Sequence, residues 1–78
     1  MLLPIQCRLG RTAISWGVRD LAEAAKVSPN TITRFERGDH LHERTIDAIQ
    51  SALEAAGVEF IPENGGGPGV RLSTPSKS

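Results

Sequence analysis

Residues 21–38 read LAEAAKVSPNTITRFERG and carry the strongest local signals in this 78-residue chain. Ser28 followed by Pro29 is typical of a helix start, because a serine hydroxyl can accept an N–H of the first turn and proline needs no hydrogen bond there. Gly38 suits the left-handed conformation that ends a helix. The stretch therefore predicts a helix over residues 28–37.

A second helix precedes this one at a very short distance. Apolar side chains recur at helical spacing in Val18, Leu21, Ala22 and Ala25. With Gly17 as N-cap they predict a helix over residues 18–25. The intervening residues 26–28 are too few for antiparallel packing and suit two helices that cross at a large angle, which is helix-turn-helix spacing. Because Ile32 and Phe35 face inward, the outer face of the later helix is left for a partner.

The flanking sequence adds two more helices. The inward face of the first, over residues 4–15, is predicted to consist of Leu3, Cys7, Gly10 and Ile14. The inward face of the fourth, which runs to Ala56 and stops at Gly57, consists of Ile46, Ile49 and Leu53. The fold class expected is mainly α, with four to five helices and a short C-terminal β-hairpin.

The hairpin is predicted from two short apolar runs, residues 58–61 and 70–72, on either side of a turn at residues 64–69 that is rich in glycine. A lone hairpin is marginal in water, so it needs either the helical body or a second chain to pack on. The predicted domain organisation is a helical domain over residues 1–57, a hairpin extension over 58–73 and a disordered tail over 74–78.

Composition limits the class of protein. Nine basic and nine acidic residues cancel, which excludes a sequence-blind polycation, although residues 1–44 carry a surplus of two positive charges and residues 45–78 a deficit of two. The single cysteine, Cys7, cannot form an internal disulfide and is expected to be a small buried hydrophobe. No apolar run approaches the roughly 20 residues of a membrane span. We expect a cytoplasmic protein without cofactor.

The motif resembles a known family at this point. Residues 21–38 resemble the lambda-repressor-like (Xre/Cro-type) helix-turn-helix family. The resemblance lies in the pairs Leu-Ala, Val-Ser and Thr-Ile and in the triplet Glu-Arg-Gly. Residues 53–72, with an Asn-Gly-Gly-Gly turn, resemble a subgroup of very small bacterial Xre-type transcriptional regulators. Together the two similarities cover about residues 5–72. They imply a sequence-specific regulator, a repressor or autoregulator, that binds an operator in double-stranded DNA.

The helix predicted over residues 28–37 would then enter the major groove with its N-terminal half. Candidate base contacts on its outer face are Pro29, Asn30, Thr33 and Arg34. Asn30 can pair bidentately with adenine and Arg34 with guanine, while Pro29 and the Thr33 methyl can contact a thymine methyl. Candidate phosphate contacts, which position without specifying, are Ser28, Thr31, Arg37, Arg44 and Lys26.

Two positions depart from the family. Val18 stands where the family usually has a glutamine that touches phosphate. Lys26 stands where the family has a glycine in the turn, so it would be strained if its φ is positive, and its ammonium either reaches DNA or is solvated. The alternative to a DNA-binding regulator is a protein-binding module, an antiactivator or antitoxin, which net neutrality and Val18 favour.

Dimerisation is expected, because one such domain buries little DNA surface and two-fold symmetry doubles it. Two surfaces compete for the dimer interface: the fourth helix and the hairpin. The hairpin candidates are Phe60, Ile61, Val70 and Leu72, and we favour them slightly.

Other side chains have less distinctive interpretations. The family's recurring Arg and Glu suggest that Glu36 forms an internal ion pair with Arg11. His40 and His42 alternate, but a third metal ligand at a standard spacing is missing, so we expect loop histidines and no metal site. No catalytic triad, phosphate-cradling loop or carboxylate pair is present, and we expect no enzyme activity.

Overall fold

The computed structural model describes residues 2–61 and 67–72, and within them four helices and two strands. In chain order these are α1 (Pro4–Ala13), α2 (Val18–Ala25), α3 (Pro29–Arg37), α4 (Glu43–Ala55), β1 (Val58–Ile61) and β2 (Gly69–Leu72). The mainly helical class with a short C-terminal hairpin is therefore confirmed. The predicted tail at 74–78 and residues 64–66 of the predicted turn lie outside the described residues.

Local signals define the helix ends much as expected. Gly17 is the N-cap of α2, and its N–H is bound by the Asp20 carboxylate at 2.8 Å. Lys26 ends α2 with φ 61°, so the condition under which this non-glycine residue would be strained is met, and Gly38 ends α3 with φ 103°. A non-glycine residue in the left-handed region costs on the order of 1 kcal/mol, which the surrounding packing has to offset.

The first helix is shorter than predicted and its inward face differs at one position. It ends at Ala13, and Ser15 follows with φ 61°. Leu3 was expected to face inward, but it is 37% exposed, whereas Leu2 is only 2% exposed and belongs to the core. Leu3 precedes the helix in an extended conformation (φ −98°, ψ 153°), so helical periodicity does not apply to it.

The hairpin packs on the helical body rather than standing free. Its strands are antiparallel, with Phe60 opposite Val70 and Ile61 opposite Gly69, and both strands contact α1. The Gln6 side chain, which is buried, donates Nε2 hydrogen bonds to the carbonyls of Ile61 (3.2 Å) and Gly69 (3.3 Å), the last strand pair before the connection. The sequence did not predict these two hydrogen bonds, which join α1 to the hairpin.

Gly10 allows the close approach of α1 and β1. A Cβ on this residue would lie 3.1 Å from Val58 Cγ1 and 3.7 Å from Phe60 Cε1, so an added methyl group would require Val58 to shift by a few tenths of an ångström. Gly10 was predicted to lie on the inward face, and it is buried. The reason is backbone proximity to the hairpin rather than an apolar contribution of its own.

One core joins all the elements. Its largest fully buried side chains are Leu21, Ile32, Ile49, Leu53, Val58 and Cys7. α2 packs against α3 and α4, while α1 packs against α3, α4 and the hairpin. The inward positions predicted for α3 and α4 are all buried, which leaves the outer face of α3 uncovered by the rest of the described chain. No helix among the described residues is long and apolar enough to cross a membrane.

Candidate nucleic-acid interface

The start of α3 is fixed by its own side chains. The Ser28 hydroxyl accepts the backbone N–H of Thr31 at 3.2 Å, and the hydroxyls of Ser28 and Thr31 lie 2.9 Å apart. Pro29 occupies the first helical position, where the missing N–H has no effect. The predicted phosphate contacts Ser28 and Thr31 thus have a local role in capping the helix, and Ser28 remains exposed.

The outer face of α3 presents the predicted base contacts to solvent. Pro29, Asn30 and Thr33 are exposed, and Arg34 is partly exposed, on the side opposite the buried Ile32. The Thr33 hydroxyl donates to the Pro29 carbonyl at 3.3 Å. Because this bond occupies the hydroxyl hydrogen, the Thr33 methyl is the part best suited to an apolar contact.

The inner side of α3 is tied to α1 by charged hydrogen bonds. Arg11 donates from Nε to Glu36 Oε2 and from Nη2 to Oε1, both at 2.8 Å, which makes the ion pair bidentate. A third Arg11 bond, from Nη1, reaches the Trp16 carbonyl at 3.2 Å. The expected ion pair between Arg11 and Glu36 is confirmed. It fixes the orientation of α3 relative to α1 on the side that faces away from solvent.

Cys7 joins the same cluster. Its thiol donates to Glu36 Oε2 at 3.3 Å, and burial, together with this hydrogen bond, raises the pKa of Cys7 far above its ordinary value. The thiol therefore stays protonated and unreactive at neutral pH, as expected for a buried hydrophobe. Burial alone raises the pKa of Glu36, but the hydrogen bonds from Arg11 and Cys7 outweigh it, so the pKa of Glu36 lies below its usual value.

The end of α3 brings together charges that sequence reasoning did not connect. Asp39, the residue after the terminal glycine, receives a 2.7 Å bond from Arg37 and lies 3.5 Å from Arg34. The signal was present in the sequence: an acidic residue directly after a left-handed glycine is turned back toward the last turn of its helix. Asp39 therefore belongs to the candidate site.

A shallow depression flanks α3 on the side of α4. Its volume is about 410 Å³, and it is lined by Val27, Ser28, Thr31, Arg34, His40, Leu41, His42 and Thr45. Two predicted phosphate contacts, Ser28 and Thr31, therefore line the same depression as the predicted base contact Arg34. Arg44 is exposed in the first turn of α4 and Lys26 is exposed at the end of α2, but neither lines the depression.

The four predicted dimer residues of the hairpin separate into two groups. Phe60 and Val70 are partly buried and pack against the core of their own chain. Ile61 and Leu72 are exposed. The hairpin thus uses the helical body for support, which is one of the two possibilities left open by the sequence. Among the described residues, Ile61 and Leu72 are the exposed pair of the four side chains.

Among residues 2–61 and 67–72, no three His, Cys, Asp or Glu side chains come together as a possible metal site. Comparison of the sequence with protein-family models gave no match, and comparison with curated proteins gave no significant one. Support for any function of the outer face of α3 therefore comes from its geometry.

Proposed function

We propose that this chain is a sequence-specific DNA-binding transcriptional regulator that inserts α3 into the major groove as the recognition helix of a helix-turn-helix. One observation carries the proposal most: α3 is fixed at its start by Ser28, at its end by Gly38 and on its inner side by Glu36. Its outer face is nevertheless exposed in the part of the chain that the structure describes. A rigid helix with exposed polar side chains is suited to reading base edges. The chain would act by binding, without catalysis.

The chemistry of this face fits major-groove contacts. The Asn30 amide offers one donor and one acceptor, which match N7 and N6 of adenine, and the Arg34 guanidinium matches O6 and N7 of guanine. Groups that suit phosphate contacts occur on α3 and at the adjoining helix ends. They are the exposed cations Lys26, Arg37 and Arg44 and the hydroxyls of Ser28 and Thr31. In this proposal the outer face of α3 reads the bases, and the groups around that face position the protein on the DNA backbone.

The first experiment selects binding sites for the purified chain from a random duplex library and titrates the best site and random DNA at two salt concentrations. We expect a preference of at least about a hundredfold for the selected site, with affinity falling as salt rises because phosphate contacts release counterions. Absence of any preference at low salt would contradict the proposal. It would favour the protein-binding module, which the neutral charge and the apolar Val18 also suit.

Replacing Arg34 with alanine should relax the base preference at one position of the selected site. One bidentate contact contributes about 1–3 kcal/mol of discrimination, so the guanine preference should fall by roughly 5- to 150-fold. Arg8→Ala, which removes an exposed arginine from α1, is the matched control and should leave the preference unchanged. Titration against duplexes that differ only at the guanine measures this effect. An unchanged preference in Arg34→Ala would remove Arg34 from the set of base contacts.

We also propose that the regulator binds its operator as a homodimer formed through the hairpin and α1. These two elements pack together and carry the exposed large apolar side chains Ile5, Leu9, Ile61 and Leu72. The competing surface, α4, exposes mainly polar residues, namely Glu43, Arg44, Asp47, Ser51 and Glu54. Ile61 lies opposite Gly69 and Leu72 opposite Val58, so these two side chains are on opposite faces of the hairpin. A second copy of the chain would cover Leu72, and half-sites should then lie about 10 base pairs apart.

Leu72→Asp should convert the dimer into a monomer in sedimentation or light-scattering measurements. Leu72 is exposed, so the added charge interferes with association rather than with the core. Phe60→Asp would be a poorer test, because Phe60 packs against the core of its own chain. Ser51→Asp, on the exposed side of α4, is the control. A monomer with Ser51→Asp and a dimer with Leu72→Asp would assign the interface to α4.

A further inference from the structure

The turn after α3 places an acidic side chain beside two arginines of the candidate base-reading helix. Gly38 takes the left-handed conformation, and the next N–H, that of Asp39, donates to the Arg34 carbonyl at 2.9 Å. This backbone bond holds Asp39 against the last turn of α3. The position of its carboxylate is thus set by the helix ending and does not depend on a flexible loop.

The Asp39 carboxylate holds the two arginines differently. Arg37 donates from Nη2 to Oδ2 at 2.7 Å and from Nε to Oδ1 at 3.4 Å, so one whole edge of its guanidinium is occupied. Arg34 lies further from the carboxylate, with its Nε 3.5 Å from Oδ2 in a longer ion pair. The terminal Nη1 and Nη2 groups of Arg34 make no hydrogen bond in the part of the chain that the structure describes, and these are the two donors of an end-on contact with guanine.

We propose that Asp39 is the positioning residue for base recognition by Arg34: it holds Nε so that the terminal fork faces guanine, and it restrains Arg37 from binding phosphate freely. The proposal rests on DNA binding by α3. It assigns separate roles to two arginines that are three residues apart on one helix. Arg34 contacts a base, and Arg37 has an accessory role as a restrained phosphate contact.

Charge gives Asp39 a second effect, which acts on the affinity for DNA of every sequence. The hydrogen bond from Arg37, assisted by Arg34, lowers the pKa of Asp39, so the carboxylate is ionised at neutral pH. A negative charge beside the DNA repels phosphates, and this repulsion weakens binding to every sequence alike. A correct guanine compensates for the repulsion through the oriented Arg34, whereas a wrong base does not. The orientation of Arg34 therefore raises the ratio of specific to non-specific affinity, while the charge of Asp39 lowers both affinities.

A measurement without DNA tests the restraint itself. NMR relaxation of the arginine Nε–H groups in the free protein should show that Asp39→Asn increases the mobility of both Arg34 and Arg37. Asp47→Asn, which removes the same charge from an exposed position on α4, should leave both unchanged. Equal mobility of the Arg34 Nε–H in wild type and Asp39→Asn would overturn the positioning role, whatever the chain binds.

Titration of the selected DNA site tests the consequence. Asp39→Asn should reduce the guanine preference at the Arg34 position by about fivefold, a part of the full bidentate discrimination. It should also strengthen binding to random DNA, because Arg37 is released. The slope of log affinity against log salt should become steeper by the equivalent of up to about one phosphate contact. In an Arg34→Ala background, Asp39→Asn should leave the base preference unaltered. With Arg34 present, Asp39→Glu should retain part of the guanine preference that Asp39→Asn loses.

The outcomes separate the two proposals. If wild type selects no sequence, DNA recognition by α3 fails and the role of Asp39 in it fails too. If wild type selects a guanine-containing site and Asp39→Asn reads it with the same preference, only the Asp39 inference is overturned. Unchanged thermal unfolding of Asp39→Asn, compared with Asp47→Asn, ensures that a lost preference reflects the orientation of Arg34 and not a damaged fold.

Discussion

Glu36→Ala is expected to lower the free energy of unfolding by about 3 kcal/mol, because it removes the carboxylate to which both Arg11 and Cys7 donate. The side chains of Arg11 and Glu36 are only 16% and 10% exposed, so water cannot easily replace the lost partner. Arg11 would keep only its bond to the Trp16 carbonyl among the described contacts. Urea unfolding followed by circular dichroism measures the change.

A matched control separates this effect from that of any surface ion pair. Glu59→Ala removes a carboxylate bound by Arg71 at 2.7 Å, but both of these side chains are well exposed. Such a pair contributes about 0.2–1 kcal/mol. The double replacement Arg11→Met with Glu36→Leu should recover most of the loss, because it leaves no unpaired charge. If Glu36→Ala costs no more than Glu59→Ala, the ion pair does not hold α3 against α1.

The same carboxylate predicts an acid dependence of stability. The folded-state pKa of Glu36 is lowered, so its contribution is fully present above the unfolded-state pKa of about 4.3 and is lost as the pH falls through the lower folded-state value. Wild type should therefore lose stability below about pH 4 more steeply than Glu36→Gln. Identical slopes for the two proteins would contradict this assignment.

Leu53→Ala should cost about 2–5 kcal/mol, the range for truncation of a fully buried leucine. Leu53 is 0% exposed and lies where α1, α4 and β1 meet, with its Cδ1 3.7 Å from the Cβ position at Gly10. A cavity there weakens three contacts at once. A chain of this size is stabilised by only about 4–12 kcal/mol in total, so the melting temperature should fall by 10 °C or more.

Leu9→Ala is the control for this prediction. It makes the same chemical change in a helix, but Leu9 is 40% exposed, and we expect a change within about 0.5 kcal/mol. Equal losses for the two variants would mean that Leu53 is not part of a closely packed core. Because Leu9 also lies on the proposed dimer surface, both proteins are unfolded over a range of concentrations and compared where association is negligible, since loss of a dimer would itself lower the apparent stability.

Much of the candidate site was predictable from sequence, because it depends on signals that act within one helix. Ser28 and Pro29 fix the start of α3, Gly38 fixes its end, and the spacing of Ile32 and Phe35 decides which side faces out. Asp39 and Gln6 were missed for different reasons. Asp39 acts through the geometry of one turn, whereas Gln6 acts on carbonyls 55 and 63 residues away.

By itself, the sequence determined the four helices, the ends of α2 and α3, the two strands and the outer face of α3. These features follow from backbone preferences and hydrogen bonds between residues at most five positions apart, which each segment carries whatever surrounds it. The tertiary structure alone decided that Leu2 and not Leu3 enters the core, and that Gly10 admits the hairpin against α1. It also directed Phe60 toward its own chain, because burial depends on which distant surfaces pack together, and no local preference encodes that.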